Sequence, residues 1–305
     1  MRARPIGSLQ ASVIGLGCNN FGRRVDAEGT KSVLDAAIAA GVTFLDTADV
    51  YGDGDSERFL GEALRGRRDQ VVIATKFGWP RDGAGGAHPD TVRPALEASL
   101  RRLQTDHVDL YQLHHPDPAV PVADTLGAMG ELVREGLVRE IGASNLSAEQ
   151  LTEAHDAVAD GAPRFVSLQN EYSMLQRAAE AEVLPACERL EVAFLPYFPL
   201  KSGLLSGKYR LGRPLPDGSR ITSMRDRLGD LVSDASLERV ERLIAFADGH
   251  GRELLDLAFA WLLARQSVAS VIAGATSAAQ VERNARAAAW QLGAAERSDL
   301  EALLA

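Results

Sequence analysis

The chain has 305 residues, of which 46% are apolar, and this length and apolar content are normal for a barrel that folds as one unit. Its net charge of −9 argues against a nucleic-acid-binding protein, which needs a basic stripe, although helix N-termini can still hold an anionic cofactor. No run reaches the roughly 20 apolar residues of a membrane span, residues 1–10 lack the apolar segment of a signal peptide, and the two cysteines form no disulfide framework, so we expect a cytoplasmic protein with no membrane partner.

Short apolar runs predict eight strands that alternate with longer helical segments. Residues 1–12 precede the first run and predict a small hairpin. Most runs are almost continuously apolar, which is typical of parallel strands that helices cover on both faces. The runs cover residues 13–16, 43–45, 71–74, 108–113, 138–143, 165–169, 192–195 and 268–273.

The segments between the runs carry apolar residues every three or four positions, which predicts amphipathic helices. One such stripe covers residues 92–103, with Asp90 as the expected N-cap. Ser147 and Gln150 fit a capping box at the start of another. Eight successive strand-helix units favour an α/β fold of the (β/α)8 TIM-barrel type, with residues 1–305 as a single domain.

Two long loops interrupt this alternation. Residues 78–89 and 201–230 are long and rich in glycine and proline, and long loops inside a compact domain are usually functional. We expect these two loops, together with residues 19–24, to line an active site and to determine its substrate specificity. The acidic stretch 49–60 predicts a solvated loop, with Glu57 opening the next helix.

Polar side chains directly follow the predicted strands, and barrel active sites lie at this end of the strands. One face of the barrel should therefore gather a carboxylate, a phenol, an amine, imidazoles and several amides. In chain order these residues are Cys18, Asn19, Asn20, Asp46, Asp49, Tyr51, Lys76, His114, His115, Ser144, Asn145, Gln169, Asn170, Tyr197, Lys201, Ser202, Thr276 and Ser277.

Several of these residues allow other interpretations. His114 and His115 suggest a metal site, but neighbours on a strand point to opposite faces and no third ligand stands at a convincing spacing. Lys76 alone fits a solvated charge or the Schiff-base lysine of a lyase. Tyr51 alone fits a packing residue, and its place on one rim with Lys76, His114 and Asp46 is what favours catalysis.

Eight segments, in order along nearly the whole chain, resemble the aldo-keto reductase superfamily. Each segment is a weak signal alone, whereas the ordered set is specific. The segments are GVTFLDTADVYG at 41–52, ATK at 74–76, DLYQLHHPD at 109–117, GASN at 142–145, LQNEY at 168–172, PYFPL at 196–200, GLLSGKY at 203–209, and the stretch 271–284 that opens with VIAG.

This resemblance implies a catalytic tetrad of Asp46, Tyr51, Lys76 and His114. Tyr51 would be the general acid that protonates a carbonyl oxygen as hydride reaches the carbon. The pKa of free tyrosine is about 10, and the ammonium group of Lys76 would lower it. Asp46 would pair with Lys76, and His114 would orient the substrate oxygen.

The resemblance also implies a bound nicotinamide dinucleotide. Ser144, Asn145 and Gln169 would hold the carboxamide, Tyr197 would stack on the ring, and residues 274–284 would hold the adenosine end near a helix N-terminus. The expected contacts are Cys18, Asn19, Asn20, Asp46, Ser144, Asn145, Gln169, Tyr197, Phe198, Leu200, Ser202, Gly274, Thr276, Ser277, Gln280, Arg283 and Asn284.

The chain departs from the family pattern where NADP is recognised. Gly274 and Gln280 stand where many members carry basic residues for the 2′-phosphate, which leaves Thr276, Ser277 and Arg283 as contacts. Phe198 also replaces a serine found in many members, and Asn19 replaces a tryptophan, which suggests a more polar pocket.

The resulting hypothesis is a reductase of aldehydes or ketones that prefers NADP(H), with NAD(H) as the other cofactor. Its partner would be a small carbonyl or alcohol substrate, and the resemblance implies a monomer or a weak homo-oligomer. Two alternatives stay open: an NAD-dependent sugar or alcohol dehydrogenase, and a cofactor-sensing regulatory subunit of another protein.

Overall fold

Eight parallel strands surround the centre of the computed structural model, which describes residues 1–80, 86–159, 161–223, 226 and 229–304. The strands are β1 Ala3–Ile6, β2 Leu9–Ser12, β3 Ile14–Gly17, β4 Phe44–Asp46, β5 Val72–Phe77, β6 Val108–Leu113, β7 Val138–Ser144, β8 Phe165–Gln169, β9 Ala193–Phe194 and β10 Val271–Gly274. The order of the parallel strands around the sheet is β10-β3-β4-β5-β6-β7-β8-β9, and β1 and β2 form a separate antiparallel hairpin.

Backbone hydrogen bonds between the two end strands close the sheet into a barrel. The amide of Phe194 donates to the carbonyl of Ser267 at 2.7 Å, and the amide of Ala269 donates to the carbonyl of Phe194 at 3.0 Å. Further along, Ile272 donates to the carbonyl of Pro196 at 3.0 Å. The predicted barrel, its eight strands and the initial hairpin are therefore confirmed.

Helices cover the outside of the barrel between successive strands. The helices are α1 Ala27–Ala39, α2 Asp55–Ala63, α3 Pro89–Leu103, α4 Val122–Arg134, α5 Ala148–Asp156, α6 Val183–Arg189, α7 Arg220–Ser223, α8 Asp234–Gly249, α9 Leu254–Leu263, α10 Ala278–Ala287 and α11 Ala294–Leu304. Short 3-10 turns lie at Tyr51–Gly54, Arg68–Gln70, Ala178–Glu180, Lys201–Ser206 and Gly229–Leu231. None of the helices described is long and apolar enough to cross a bilayer.

The predicted loops contain more structure than expected. Residues 201–230 hold a 3-10 turn, the one-turn helix α7 and part of another turn, although 224, 225, 227 and 228 lie outside the described residues. In the 78–89 loop, residues 81–85 also lie outside them. Glu57 was predicted to open a helix beside a solvated loop. It does lie in the first turn of α2, but it is fully buried there and accepts from Thr75 Oγ1 at 2.5 Å and from Arg102 Nε at 2.6 Å.

Helix starts follow local chemistry. The capping box of Ser147 and Gln150 at α5 is confirmed. The prediction of Asp90 as N-cap of α3 is wrong, because the helix begins at Pro89 and His88 caps it through Nδ1. Proline has a fixed φ and no amide hydrogen, which suits the first helical position, so the helix begins before Asp90.

The apolar core has an outer layer between strands and helices and an inner layer inside the barrel. Ile6, Leu9 and Ala11 of the hairpin pack in the inner layer against strand residues such as Phe44 and Ile272. The hairpin thereby fills the end of the barrel at which the strands begin. Polar side chains gather at the opposite end, where the strands finish.

Candidate active site

A buried ion pair lies at the ends of β4 and β5. Lys76 Nζ donates to Asp46 Oδ1 at 2.7 Å and to the carbonyl of Thr47 at 2.9 Å, and the lysine side chain is fully buried. Burial acts to lower the pKa of Lys76, but the carboxylate of Asp46 and the neighbouring Tyr51 outweigh it and leave that pKa above its usual value. Lys76 is therefore a fixed cation.

Tyr51 lies directly above this pair, in the 3-10 turn after β4. Its ring centre is 5.2 Å from Lys76 Nζ. We expected Lys76 to lower the pKa of Tyr51, and the ammonium group does act in that direction. Burial has the larger effect, however, and the pKa of Tyr51 is raised above its usual value. At neutral pH Tyr51 therefore holds its proton beside a cation that would stabilise the phenolate.

His114 follows β6 and faces Tyr51, with ring centroids 5.9 Å apart at 82°. Burial, helped by Lys76 and His115, lowers the pKa of His114 to about 2, so its imidazole is neutral. The prediction that His114 and His115 point to opposite faces is wrong, since their rings stack with centroids 5.3 Å apart. Strand β6 ends at Leu113, so the alternation of strand side chains no longer applies to this pair.

Trp79 completes the aromatic group and was not among the residues predicted from the sequence. Its ring meets His114 and His115 edge-on, at centroid distances of 4.7 and 4.8 Å, and it is 44% exposed. An aromatic residue three positions after Lys76, in a loop that was expected to line the site, could have identified it. A large exposed ring beside a buried polar group marks the mouth of the site.

Two buried amides contact the same carboxylate oxygen as Lys76. Gln169 Nε2 donates to Asp46 Oδ1 at 2.8 Å, and Gln112 Nε2 donates to it at 3.3 Å. Gln112 was not identified from the sequence, although a polar residue close to the end of a buried strand was an available signal. Side chains from three different strands therefore donate hydrogen bonds to the same oxygen of Asp46.

A second hydrogen-bonded set lies at the ends of β7 and β8. Ser144 Oγ donates to the carbonyl of Gln169 at 2.7 Å, and Asn145 Nδ2 donates to the carbonyl of His114 at 2.9 Å. The Tyr197 hydroxyl donates to Asn145 Oδ1 at 2.8 Å. Burial raises the pKa of Tyr197 to about 12, which keeps this donor protonated. These contacts fix the half-buried Tyr197 beside the opening near Tyr51.

The predicted residues after β3 and β10 also come together. Cys18 is buried and its amide donates to the carbonyl of Asp46 at 2.9 Å. A Cβ placed on Gly274 would lie 3.2 Å from Asn20 Nδ2 and 3.5 Å from Asn19 Oδ1. Asn19, Asn20 and Gly274 therefore line one stretch of the rim, because β3 and β10 are neighbouring parallel strands.

The turn after Tyr197 has an unusual backbone. Phe198, Lys201 and Ser202 all have positive φ, at 51°, 43° and 56°. Leu200 accepts hydrogen bonds from the amides of Gly203 and Leu205, which holds the turn together. Such φ values in non-glycine residues are uncommon and occur where surrounding structure imposes them.

The remaining predicted contacts form a separate group at the start of α10. Ser277 caps the helix, Thr276 donates to Gln280 Oε1, and Asn284 is buried. Arg283 pairs with Glu253 Oε2, at 2.5 Å from Nη2 and 3.0 Å from Nε. This group provides a helix N-terminus and a cation, whereas the group around Tyr51 provides a protonated phenol, a buried cation and a neutral imidazole. In the part of the chain that the structure describes, no three His, Cys, Asp or Glu residues are placed to hold a metal ion.

The chain is similar to known proteins over most of its length. Residues 13–305 match the model of the Aldo/keto reductase family. The aldo-keto reductase YhdN of Bacillus subtilis (strain 168) is 33% identical over 97% of this chain and 91% of its own. A probable voltage-gated potassium channel subunit beta of Arabidopsis thaliana is 34% identical over 92% and 88%. The holo form of an aldo-keto reductase from Bacillus halodurans has a TM-score of 0.81 and 32% identity, covering 99% of this chain and 96% of that one.

Proposed function

Because the chain belongs to the aldo/keto reductase family, we propose that it reduces aldehydes or ketones to alcohols with NADP(H) and uses Tyr51 as the general acid. The family indicates an oxidoreductase that acts with a nicotinamide cofactor on small carbonyl substrates. The observation that carries the proposal is the position of Tyr51, whose ring centre is 5.2 Å from the buried ammonium group of Lys76.

The side chains divide the chemistry between them. When bound, the reduced nicotinamide supplies the hydride. Tyr51 gives its proton to the carbonyl oxygen, and the charge left on the phenolate is stabilised by Lys76, which Asp46 holds in place. His114 is neutral and donates a hydrogen bond to the same oxygen without competing for the proton. The raised pKa of Lys76 does not favour a Schiff-base lyase, which needs a neutral amine.

The residues at the rim fit a nicotinamide dinucleotide. Ser144, Asn145 and Gln169 present hydroxyl and amide groups next to Tyr51, which suits a carboxamide, and Tyr197 offers a ring whose hydroxyl is fixed by Asn145. The rest of the contact set predicted from the sequence, including the α10 N-terminus that suits phosphate, would hold the pyrophosphate and adenosine portions.

The proposed acid makes a prediction about pH. Reduction should stay constant from about pH 6 to about pH 10, because the pKa of Tyr51 is raised above its usual value of about 10 and the pKa of His114 lies far below this range. The rate should fall only as pH rises through the pKa of Tyr51, which must be protonated to act. We would measure kcat/KM for one aldehyde across this range. An apparent pKa near 6.5 that disappears in His114→Gln would contradict a neutral imidazole.

Cofactor preference gives a second prediction. NADPH should bind about ten- to hundredfold more tightly than NADH, since one charge-assisted phosphate contact from Arg283 is worth roughly 1.5–3 kcal/mol. Arg283→Ala should remove this preference without changing the dissociation constant for NADH. Fluorescence titration after EDTA treatment measures both constants.

A matched control lies on the same helix. Arg286 is 71% exposed, and its closest acidic partner is Glu282 at 4.0 Å, so Arg286→Ala should leave both dissociation constants unchanged. Tighter binding of NADH by the parent protein would favour the NAD-dependent dehydrogenase instead. Binding of neither nucleotide would refute the proposed function.

The similarity to a protein described as a probable potassium channel subunit beta supports a second candidate, a cofactor-sensing regulatory subunit. The two candidates differ in turnover. A panel of aldehydes, ketones and sugars, followed by absorbance of the reduced cofactor, should show oxidation of NADPH for at least one carbonyl compound. Tight cofactor binding without turnover on the whole panel would favour the regulatory role.

A further inference from the structure

Gln112 is a buried polar residue inside the barrel that the proposed chemistry does not use. It lies on β6 beside Lys76 of β5, and its side chain is fully buried. Its Nε2 donates to Asp46 Oδ1, the oxygen that also accepts from Lys76 Nζ. An ionised carboxylate can only accept hydrogen bonds, so it selects the NH2 end of the amide.

The other end of this amide is unsatisfied. Among the residues that the structure describes, none hydrogen-bonds to Gln112 Oε1. The neighbouring residue on β7 is Gly142, where a Cβ would lie 3.4 Å from Gln112 Cγ and 2.3 Å from Ser167 Oγ. Leaving Oε1 buried without a hydrogen bond costs free energy. The hydrogen bond from Nε2 to the carboxylate of Asp46 offsets this cost, because hydrogen bonds to charged acceptors are stronger than those between neutral groups. The contact to Asp46 is therefore what orients Gln112.

Among the residues that the structure describes, five titratable groups face Tyr51 from the surrounding strand ends. Two of them, Asp46 and Lys76, form the buried ion pair. The others stay neutral because burial raises the pKa of both the Cys18 thiol and the Tyr197 phenol and lowers that of His114. The five groups are Cys18 after β3, Asp46 of β4, Lys76 of β5, His114 after β6 and Tyr197 after β9.

We propose that Gln112 is a positioning residue that sets the acidity of Tyr51 through Asp46, an inference that rests on the proposed role of Tyr51 as the acid. The carboxylate of Asp46 opposes ionisation of Tyr51, whereas Lys76 favours it. By donating to Oδ1, the amide of Gln112 offsets part of the carboxylate charge. Gln112 Nε2 and Lys76 Nζ also donate to the same oxygen of Asp46. Because the amide takes part of the hydrogen bonding at this oxygen, the ammonium group of Lys76 interacts more strongly with the phenolate of Tyr51.

The test measures the ionisation of Tyr51 directly in the full-length protein. Replacing the five tyrosines with difluorotyrosine lowers their pKa values into a range that the folded protein tolerates, and fluorine NMR then follows each phenol. Tyr51→Phe assigns the signal. Gln112→Met keeps an unbranched side chain of similar length and removes the amide. We expect it to raise the pKa of Tyr51 by about one unit, a tenfold lower ionisation constant.

Ser167→Ala is the matched control, because Ser167 also lies against Gly142 and has a buried hydroxyl without a partner among the described residues. It should leave the pKa of Tyr51 unchanged. An unchanged pKa in Gln112→Met, or an equal shift in Ser167→Ala, would overturn the proposal. Gln112→Leu is the second variant if Gln112→Met unfolds, and failure of both to fold would show that the amide serves stability instead. Failure of the proposed function would appear separately, as full turnover by Tyr51→Phe.

Discussion

Replacing Tyr51 with phenylalanine is expected to lower kcat for carbonyl reduction by about 10²–10⁴-fold, the usual contribution of general acid catalysis. Hydride delivery leaves an alkoxide, which is too basic to persist without a proton donor. Phenylalanine keeps the ring and its edge contact with His114 and removes only the hydroxyl. The dissociation constant for NADPH should therefore change little. Steady-state kinetics with a good aldehyde and a fluorescence titration of the cofactor measure the two effects.

Tyr209→Phe is the control for this substitution. Tyr209 is buried, and its hydroxyl has no hydrogen-bond partner among the residues described, so its removal should affect neither turnover nor binding. Circular dichroism would establish that both variants are folded. If Tyr51→Phe retains turnover within about threefold of the parent, well below the range of acid catalysis, then Tyr51 is not the acid.

Replacing Lys76 with methionine should lower kcat to a comparable extent and should also destabilise the fold. Without the ammonium group, burial and Asp46 both oppose the phenolate, so the pKa of Tyr51 rises further and its proton is harder to release. The carboxylate of Asp46 would then be buried at 2% exposure without a cation. Removing one partner of a buried ion pair typically costs about 3–5 kcal/mol. Urea unfolding measures this loss, and steady-state kinetics measures kcat.

The double variant Lys76→Met with Asp46→Asn separates the two effects. Asparagine removes the unpaired charge and still accepts from the amides of Gln112 and Gln169, so most of the free energy of unfolding should return. Activity should not return, because the cation remains absent. Recovery of both, or a fully active and fully stable Lys76→Met, would refute the role given to the ion pair.

The strands were predictable because each is a short apolar run, and closely spaced runs separated by amphipathic segments allow few other folds. The polar residues at the strand ends were predictable because each directly follows an apolar run. Lys76 and Asp46 were expected at the same end of the barrel, and they form a 2.7 Å ion pair. The catalytic and cofactor roles of these residues, and the extent of the domain, stay predictions. The start of α3 was predicted wrongly because Pro89 and Asp90 both favour the beginning of a helix. Residue preferences alone do not show that Pro89 is the first helical residue and that Asp90 is not the cap.

What the sequence could not supply depends on contacts between distant segments. Glu57 lies in an acidic stretch and was expected near solvent, yet Thr75 and Arg102 enclose it. Gln112 lies in a strand that was predicted from its apolar residues, and its hydrogen bond to Asp46 joins positions 66 residues apart. Trp79 and His115 meet in space because β5 and β6 end side by side.

The closure of the barrel has a consequence for the order in which the chain can fold as it is synthesised. Strand β10 pairs with β3, and the segment before it bonds to Phe194 of β9, so one late segment joins both edges of the sheet. The side chain of Arg4 likewise bonds to the carbonyls of Leu263, Arg265 and Val268. Until these residues leave the ribosome, the nascent sheet keeps two unpaired edges, which are prone to pair with other chains. The last strand made therefore determines when the rim around Tyr51 acquires its shape.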